Sequence, residues 1–192
     1  MRMFVGITPP EEVIDSLATF LAPRREHGDP RWSDPDQFHI TLAFCADVPE
    51  RSLDAFGERR TEAAARHTPF PLRLSGGGTF PDPDRAKHVY AALDLSQASS
   101  VALQSLSAAT RAAATTSGIE VAGGPYKPHL TIARSNRPFS AMRGRRVLEG
   151  FGSPSWTVEE IHLVESHLGE GRERRPRYDT IETYPLGQGR LD

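Results

Sequence analysis

Cysteine is almost missing from this sequence: Cys45 stands alone among 192 residues. An internal disulfide framework and a cysteine-built zinc cluster are thereby excluded, and a reducing compartment fits. Lysine is nearly as scarce, with only Lys87 and Lys127, so most of the positive charge is arginine. No charge of one sign dominates. Lys and Arg total 23 against 25 Asp and Glu, a formal net charge of -2, which excludes a basic nucleic-acid coat and an acidic tail as descriptions of the whole chain while leaving room for a local basic groove. Long apolar runs are absent too; Ile40 to Phe44 is typical and falls far short of the roughly 20 residues a spanning helix needs. The first residues lack the layout of a signal peptide, since acids return at Glu11 and Glu12. The expectation is a cytoplasmic protein with no membrane partner, monomeric, and a single domain over residues 1–192.

What the chain has in quantity is glycine and proline, 16 of each, and hence loops. Arg2 to Ile7 reads as a short buried strand. Thr8-Pro9-Pro10-Glu11-Glu12 reads as a helix start, with Thr8 able to cap, followed by Val13, Ile14, Leu17, Phe20 and Leu21 at helical spacing. Further strands are expected over 38–44, 70–74, 87–95, 119–121 and 126–133, with helices over 50–67, 99–117 and 140–148. Gly118 suits the end of the third helix. Ser75-Gly76-Gly77-Gly78 lacks the Lys-Ser/Thr of a phosphate loop and reads as a turn or bulge. Residues 157–166 and 177–186 form a closing hairpin. Strands arriving singly and in pairs between helices point to an α+β fold with largely antiparallel sheet.

The order strand, helix, loop, strand occurs twice, and each time the last strand opens on the same pattern. Phe38-His39-Ile40-Thr41-Leu42-Ala43 and Pro128-His129-Leu130-Thr131-Ile132-Ala133 set two histidines 90 residues apart. The duplication implies two pseudo-symmetric lobes facing one central cleft, with helices outside. On a strand, residues two apart share a face. Each copy therefore presents an imidazole and a hydroxyl on one side while Ile40, Leu42, Leu130 and Ile132 anchor the other. Two imidazoles around one cavity can serve as general acid and general base, the requirement of displacement at phosphorus. The threonines can donate to non-bridging oxygens, and the Arg134 fork suits a phosphate. Arg134 stands three residues after Thr131, so a flat strand would turn it away; a twist, a bulge or the strand end would bring it in.

A single His-x-Thr is ordinarily structural, and the weight rests on its repetition in matching context. Zinc would need a third ligand as a rule, and no suitable partner accompanies either copy, so no metal and no cofactor are expected. His27, His67, His88, His162 and His167 lack the motif and read as surface or structural histidines, although His88 and His167 could approach the groove without anything in the sequence to place them there. Cys45 reads as a small buried filler. Trp32, Phe80, Tyr126 and Phe139 suit base stacking or core packing equally, and the arginine runs at 143–146 and 172–177 suit a solvated face or an RNA backbone.

At these residues the sequence resembles the RNA 2′,3′-cyclic phosphodiesterases, the 2′-5′ RNA ligase-like branch of the two-histidine phosphoesterases. The resemblance runs through Met1–Ile7, Arg31-Trp32 with the first motif, Gly78-Thr79-Phe80-Pro81, residues 125–134 around the second motif, Pro176-Arg177-Tyr178 and Tyr184-Pro185-Leu186. It implies two α+β lobes around a cleft, no metal, and opening of a terminal 2′,3′-cyclic phosphate to a 2′-phosphate on RNA or a small cyclic nucleotide. Carried over residue by residue, it makes His39 the donor to the leaving 3′ oxygen, His129 the acceptor from water, and Thr41, Thr131 and Arg134 the phosphate holders. Two other readings remain beside it. One is an RNA-end or nucleotide-binding module without turnover. The other is ligation or cleavage of 2′-5′ linkages by the same pair.

Overall fold

A computed structural model describes residues 1–25 and 30–187; His27 and Asp29 lie outside them. The elements in chain order are β1 (Met3–Ile7), α1 (Glu11–Leu21), β2 (Arg31–Trp32), β3 (Ile40–Cys45), α2 (Leu53–Ala65), β4 (Phe70–Leu72), β5 (Leu74–Phe80), β6 (Ala86–Leu93), α3 (Gln97–Thr116), β7 (Leu130–Phe139), α4 (Met142–Leu148), β8 (Trp156–Val158), β9 (Glu160–His167) and β10 (Arg177–Pro185). None of the helices is long and apolar enough to cross a membrane, among the described residues.

The main sheet runs β10-β9-β1-β3-β7-β6-β5, with β2 also on β7, and every pairing in it is antiparallel. Its two lobes, β10-β9-β1-β3 and β7-β6-β5, meet where β3 and β7 pair at Ile40 opposite Leu130. The expected α+β class with two similar lobes and outer helices is what the chain forms. Helices cross between the lobes. α3 follows β6 yet lies on β3, where its fully buried Ser107 hydroxyl donates to the Leu42 carbonyl at 2.7 Å. The far end of α1, which follows β1, lies under the second lobe, with the Phe20 and Phe151 ring centres 4.9 Å apart. Met3, Val5, Ile7, Ile40, Leu42, Leu130 and Ile132 fill the core on the helix side of the sheet, each apolar side chain contributing about 1.5–3 kcal/mol on burial.

Several local expectations need correction. The cap of α1 is Pro10, not Thr8, and no side chain caps it; the two acids of its first turn meet the exposed N–H groups instead. Residues 119–121 form no strand, and β7 begins only at Leu130. Both motif histidines thus sit one residue before their strands rather than within them. The glycine run lies inside β5, where the register shifts between Leu74 and Gly77. Gly76 takes φ +72 there, a conformation glycine adopts without a steric penalty. Gly118 ends α3 at φ +75, as expected.

Candidate active site

The two His-x-Thr segments cross at the Ile40–Leu130 pair. Antiparallel register then sets His39 opposite Thr131 and Thr41 opposite His129, all on the face away from the core. On the outer side of each threonine lies the partner strand of its own lobe, Gly6 against Thr41 and Tyr90 against Thr131. An alanine at Gly6 would place its Cβ 2.9 Å from the Ile40 carbonyl oxygen, so the close approach of β1 to the first motif requires glycine there.

A bulge follows each motif, at the same step. Between β1 and β3, Gly6 pairs Thr41 and Val5 pairs Ala43, leaving Leu42 extra. Between β6 and β7, Tyr90 pairs Thr131 and Val89 pairs Ala133, leaving Ile132 extra. The extra residue reverses the alternation. Leu42 and Ala43 are consecutively buried, as are Ile132 and Ala133, and the next residue returns to the cleft face. The second lobe therefore brings Arg134 onto the side of Thr131, which the three-residue spacing alone forbade. In the first lobe the same position is Phe44, over whose ring the Arg2 guanidinium lies at 4.4 Å. Both freed carbonyls find donors. Ser107 serves Leu42 at 2.7 Å, and the Ser33 N–H serves Ile132 at 2.9 Å.

The imidazoles are oriented alike. His39 Nδ1 lies 2.7 Å from the Gln37 carbonyl oxygen, and His129 Nδ1 lies 2.7 Å from that of Lys127. A carbonyl only accepts, so each Nδ1 carries the proton and each Nε2 is free for chemistry. Aromatic rings fix the planes. His39 stacks on Phe4 at 4.2 Å and meets the edge of Tyr178 at 5.4 Å. His129 meets Phe80 at 5.0 Å and Tyr90 at 5.4 Å. Burial pushes the His39 imidazole down to about 4. The Gln37 carbonyl opposes that shift, while Arg134 and His129 add to it. Burial likewise lowers His129, opposed by the Lys127 carbonyl and aided by Arg134. Both rings are therefore neutral in the free protein near pH 7.

A cavity of about 60 Å³ opens beside these groups. His39, Thr131 and Arg134 form part of its wall, with Arg31, Trp32, Gln37, Arg175 and Tyr178. Thr41 and His129 reach the same centre through the ladder rather than through that wall. Gln37 ties the first motif to the hairpin, since its side-chain amide donates to the Pro176 carbonyl, and Arg175 pairs with Asp34. Such contacts between residues about 140 apart leave no local sequence signal. Phe4 and Tyr178, the rings around His39, carried no motif of their own. Of the aromatics singled out for stacking, Phe80 meets His129 edge-on and Trp32 both lines the cavity and packs on the core, whereas Tyr126 and Phe139 pack on the core.

The other histidines divide. His67 bonds the Ala63 carbonyl and Ser105. His162 meets Thr183 and Glu160, and His167 stands among Glu165, Glu170 and Asp179. His88, by contrast, is directly opposite Arg134 and faces the cleft. Cys45 is buried, its thiol pushed up to about 11 by burial, consistent with a filler.

The sequence matches the 2′-5′ RNA ligase superfamily over residues 9–170. It is 30% identical over 188 residues to an RNA 2′,3′-cyclic phosphodiesterase of Thermus thermophilus, covering 97% of this chain and 90% of that protein. A Geobacillus stearothermophilus protein of the same name is 30% identical over 158 residues, 81% of this chain. The match spans 47% of that protein's length, about half. Among solved structures, a Thermus thermophilus protein superposes with a TM-score of 0.76 at 26% identity, covering 97% of this chain and 98% of that one. E. coli LigT complexed with 3′-AMP superposes at 0.75 with 24% identity over 97% and 98% of the two chains, a likeness of fold.

Proposed function

The chain belongs to the 2′-5′ RNA ligase superfamily, and on that premise we propose that it hydrolyses 2′,3′-cyclic phosphate ends of RNA to 2′-phosphates by a paired-histidine mechanism without metal. Hydrolysis of 2′,3′-cyclic phosphates is the activity its curated relatives are named for; the proton routes are read from this chain's own residues. The cyclic phosphate sits between the two motifs. Thr41, Thr131 and Arg134 hold its non-bridging oxygens. His129 Nε2 takes a proton from water as the water oxygen bonds to phosphorus. His39, which takes up a proton at Nε2 as the substrate binds, gives that proton to the 3′ oxygen as the bond from phosphorus to that oxygen breaks. The 2′ oxygen keeps the phosphate, and a proton passed between the rings through solvent restores the starting state.

One observation carries this reading: two imidazoles with the same fixed tautomer lie diagonally across a single strand pair, each opposite the other motif's threonine. His39 begins neutral, and its charging is coupled to substrate. A bound phosphate anion offsets the Arg134 charge, one of the causes that hold its pKa down. The test is a short RNA with a 2′,3′-cyclic end, incubated with the protein in EDTA and resolved against 2′- and 3′-phosphate standards. Conversion to the 2′-phosphate is expected. No conversion, a 3′-phosphate product, or turnover abolished by EDTA would overturn the proposal.

A further inference from the structure

One ladder step beyond the His/Thr pair, four side chains form a stripe across the second lobe. Phe80 is opposite His88, His88 opposite Arg134, and Arg134 opposite Arg31. Directly opposed residues of antiparallel strands share a face with Cβ atoms about 4.5–5.5 Å apart. That face is the cleft: the Phe80 ring touches His129, and Arg31 and Arg134 wall the cavity beside His39. The Lys127 ammonium lies 6.0 Å from the centre of the Phe80 ring, at the stripe's outer end. The hydrolytic steps use Arg134 alone of this set. Arg175 and Arg177, nearby, are paired with Asp34 and Asp179. Among the described residues no carboxylate pairs with His88, Lys127 or Arg134.

We propose that this stripe seats the phosphodiester preceding the terminal nucleotide of an RNA, with His88 as a specificity-determining contact that separates RNA ends from free cyclic mononucleotides. The inference rests on the reading of the motif pair as the cyclic-phosphate site and adds the direction in which the strand leaves it. Two residues along a strand advance about 6.6 Å, comparable to the step between neighbouring phosphates of an extended RNA strand. Arg134 stands on the stripe opposite His88 and also walls the cavity with His39 and Thr131, so it serves both positions. The lobes differ in the relevant way. The places equivalent to His88 and Arg134 in the first lobe are Phe4 and Phe44, two apolar rings of which the second is covered by the Arg2 guanidinium, so the row of donors at these ladder positions exists only in the second lobe and the strand departs over β6 and β7.

An imidazole fits position 88 better than a permanent cation. Burial, Arg134, His129 and Lys87 together hold His88 below its ordinary pKa, so it adds an N–H donor without adding charge beside His129. A lysine there would depress His129 further. A phosphodiester arriving on the stripe supplies the negative charge that lets His88 take up a proton and bind it more strongly.

The experiment compares His88→Val and His88→Gln with wild type on two substrates, a cyclic-phosphate-ended oligoribonucleotide and a 2′,3′-cyclic mononucleotide. For H88V, KM for the oligonucleotide should rise roughly tenfold, as expected for loss of one charge-assisted hydrogen bond. The salt dependence of that KM should lose about one phosphate contact. Its kcat, and mononucleotide hydrolysis, should stay within about twofold of wild type. H88Q, which keeps a donor, should recover part of the loss. Equal damage on both substrates would mean that His88 acts on the motif histidines, and no damage on either would mean that it touches nothing; each overturns the inference. If wild type hydrolyses neither substrate, the reaction falls, and binding decides the stripe separately. Anisotropy with a 3′-phosphate-ended oligoribonucleotide, competed by a nucleoside 3′-monophosphate, should then show H88V weakening only the oligonucleotide.

Discussion

Immediately past its bulge the first lobe carries Phe44 and the second carries Arg134; across the ladder from these stand Phe4 and His88. Up to that step the lobes agree. Each has a histidine one residue before its strand, a carbonyl two residues back holding Nδ1, a threonine two residues on, and one extra apolar residue after it. The shared part aims two imidazoles at one place, and the unshared part gives them different surroundings. His39 is stacked on Phe4 and edged by Tyr178. His129 meets Phe80 and Tyr90 and feels the Arg134 charge. A duplicated frame thus supplies symmetric aim, and substitutions at two positions per lobe supply the asymmetry an acid–base pair needs.

The comparison breaks most completely if either imidazole proves dispensable. His39→Ala and His129→Ala should each lower kcat by about 10²–10⁴, and the double variant should be little worse than either single one, because the two act as a unit. Additive losses would mean two independent groups.

The next largest effect separates the matched positions after the bulges. Arg134→Met should cost about 10²–10³ in kcat/KM through lost charge on the phosphate. Phe44→Leu, at the equivalent place, should stay within a few-fold. Equal costs would erase the distinction between the lobes.

The bulge itself is open to test through Ser107. Ser107→Ala strips the Leu42 carbonyl of its donor in a buried site and should cost about 1–3 kcal/mol of stability by denaturant titration. Activity should fall only modestly, as Thr41 shifts. Unchanged stability would mean that the freed carbonyl needs no partner.

The smallest effect concerns pH. Both imidazoles are depressed in the free protein, His39 to about 4. A singly protonated pair is therefore most populated below pH 6.5, and kcat/KM, which reports the free enzyme, should reach its optimum on that acid side. Bound phosphate raises both groups, so the kcat profile should lie at higher pH. Coincident profiles centred above 7 would contradict the burial-driven shifts.

The motif pair was legible because its elements are short-range: two His-x-Thr segments, apolar alternation behind them, and a preceding strand and helix. The bulges left a trace that alternation alone does not interpret. Leu42-Ala43 and Ile132-Ala133 are adjacent apolar pairs where strict alternation allows one inward residue, and Arg134 stands an odd number of residues from Thr131. That trace became a position only when β1 and β6 supplied a register. The swap of helices between lobes, the Gln37–Pro176 and Arg175–Asp34 ties, and the turning of His88 into the cleft are tertiary facts. They depend on which sheet a helix covers and which residues face each other across strands, and neither is written in spacing along the chain.

Imidazole nitrogen shifts in ¹⁵N-labelled protein, followed as a nucleoside 3′-monophosphate is added near pH 7, address the sharing of one phosphate by both rings. Before addition, His39 and His129 should each show a protonated Nδ1 and a bare Nε2. On addition, both Nε2 signals should move along one curve with one midpoint, and Arg134→Met should weaken the two together. A response from one ring alone, or two curves with separate midpoints, would place the histidines in different sites and remove the mechanism.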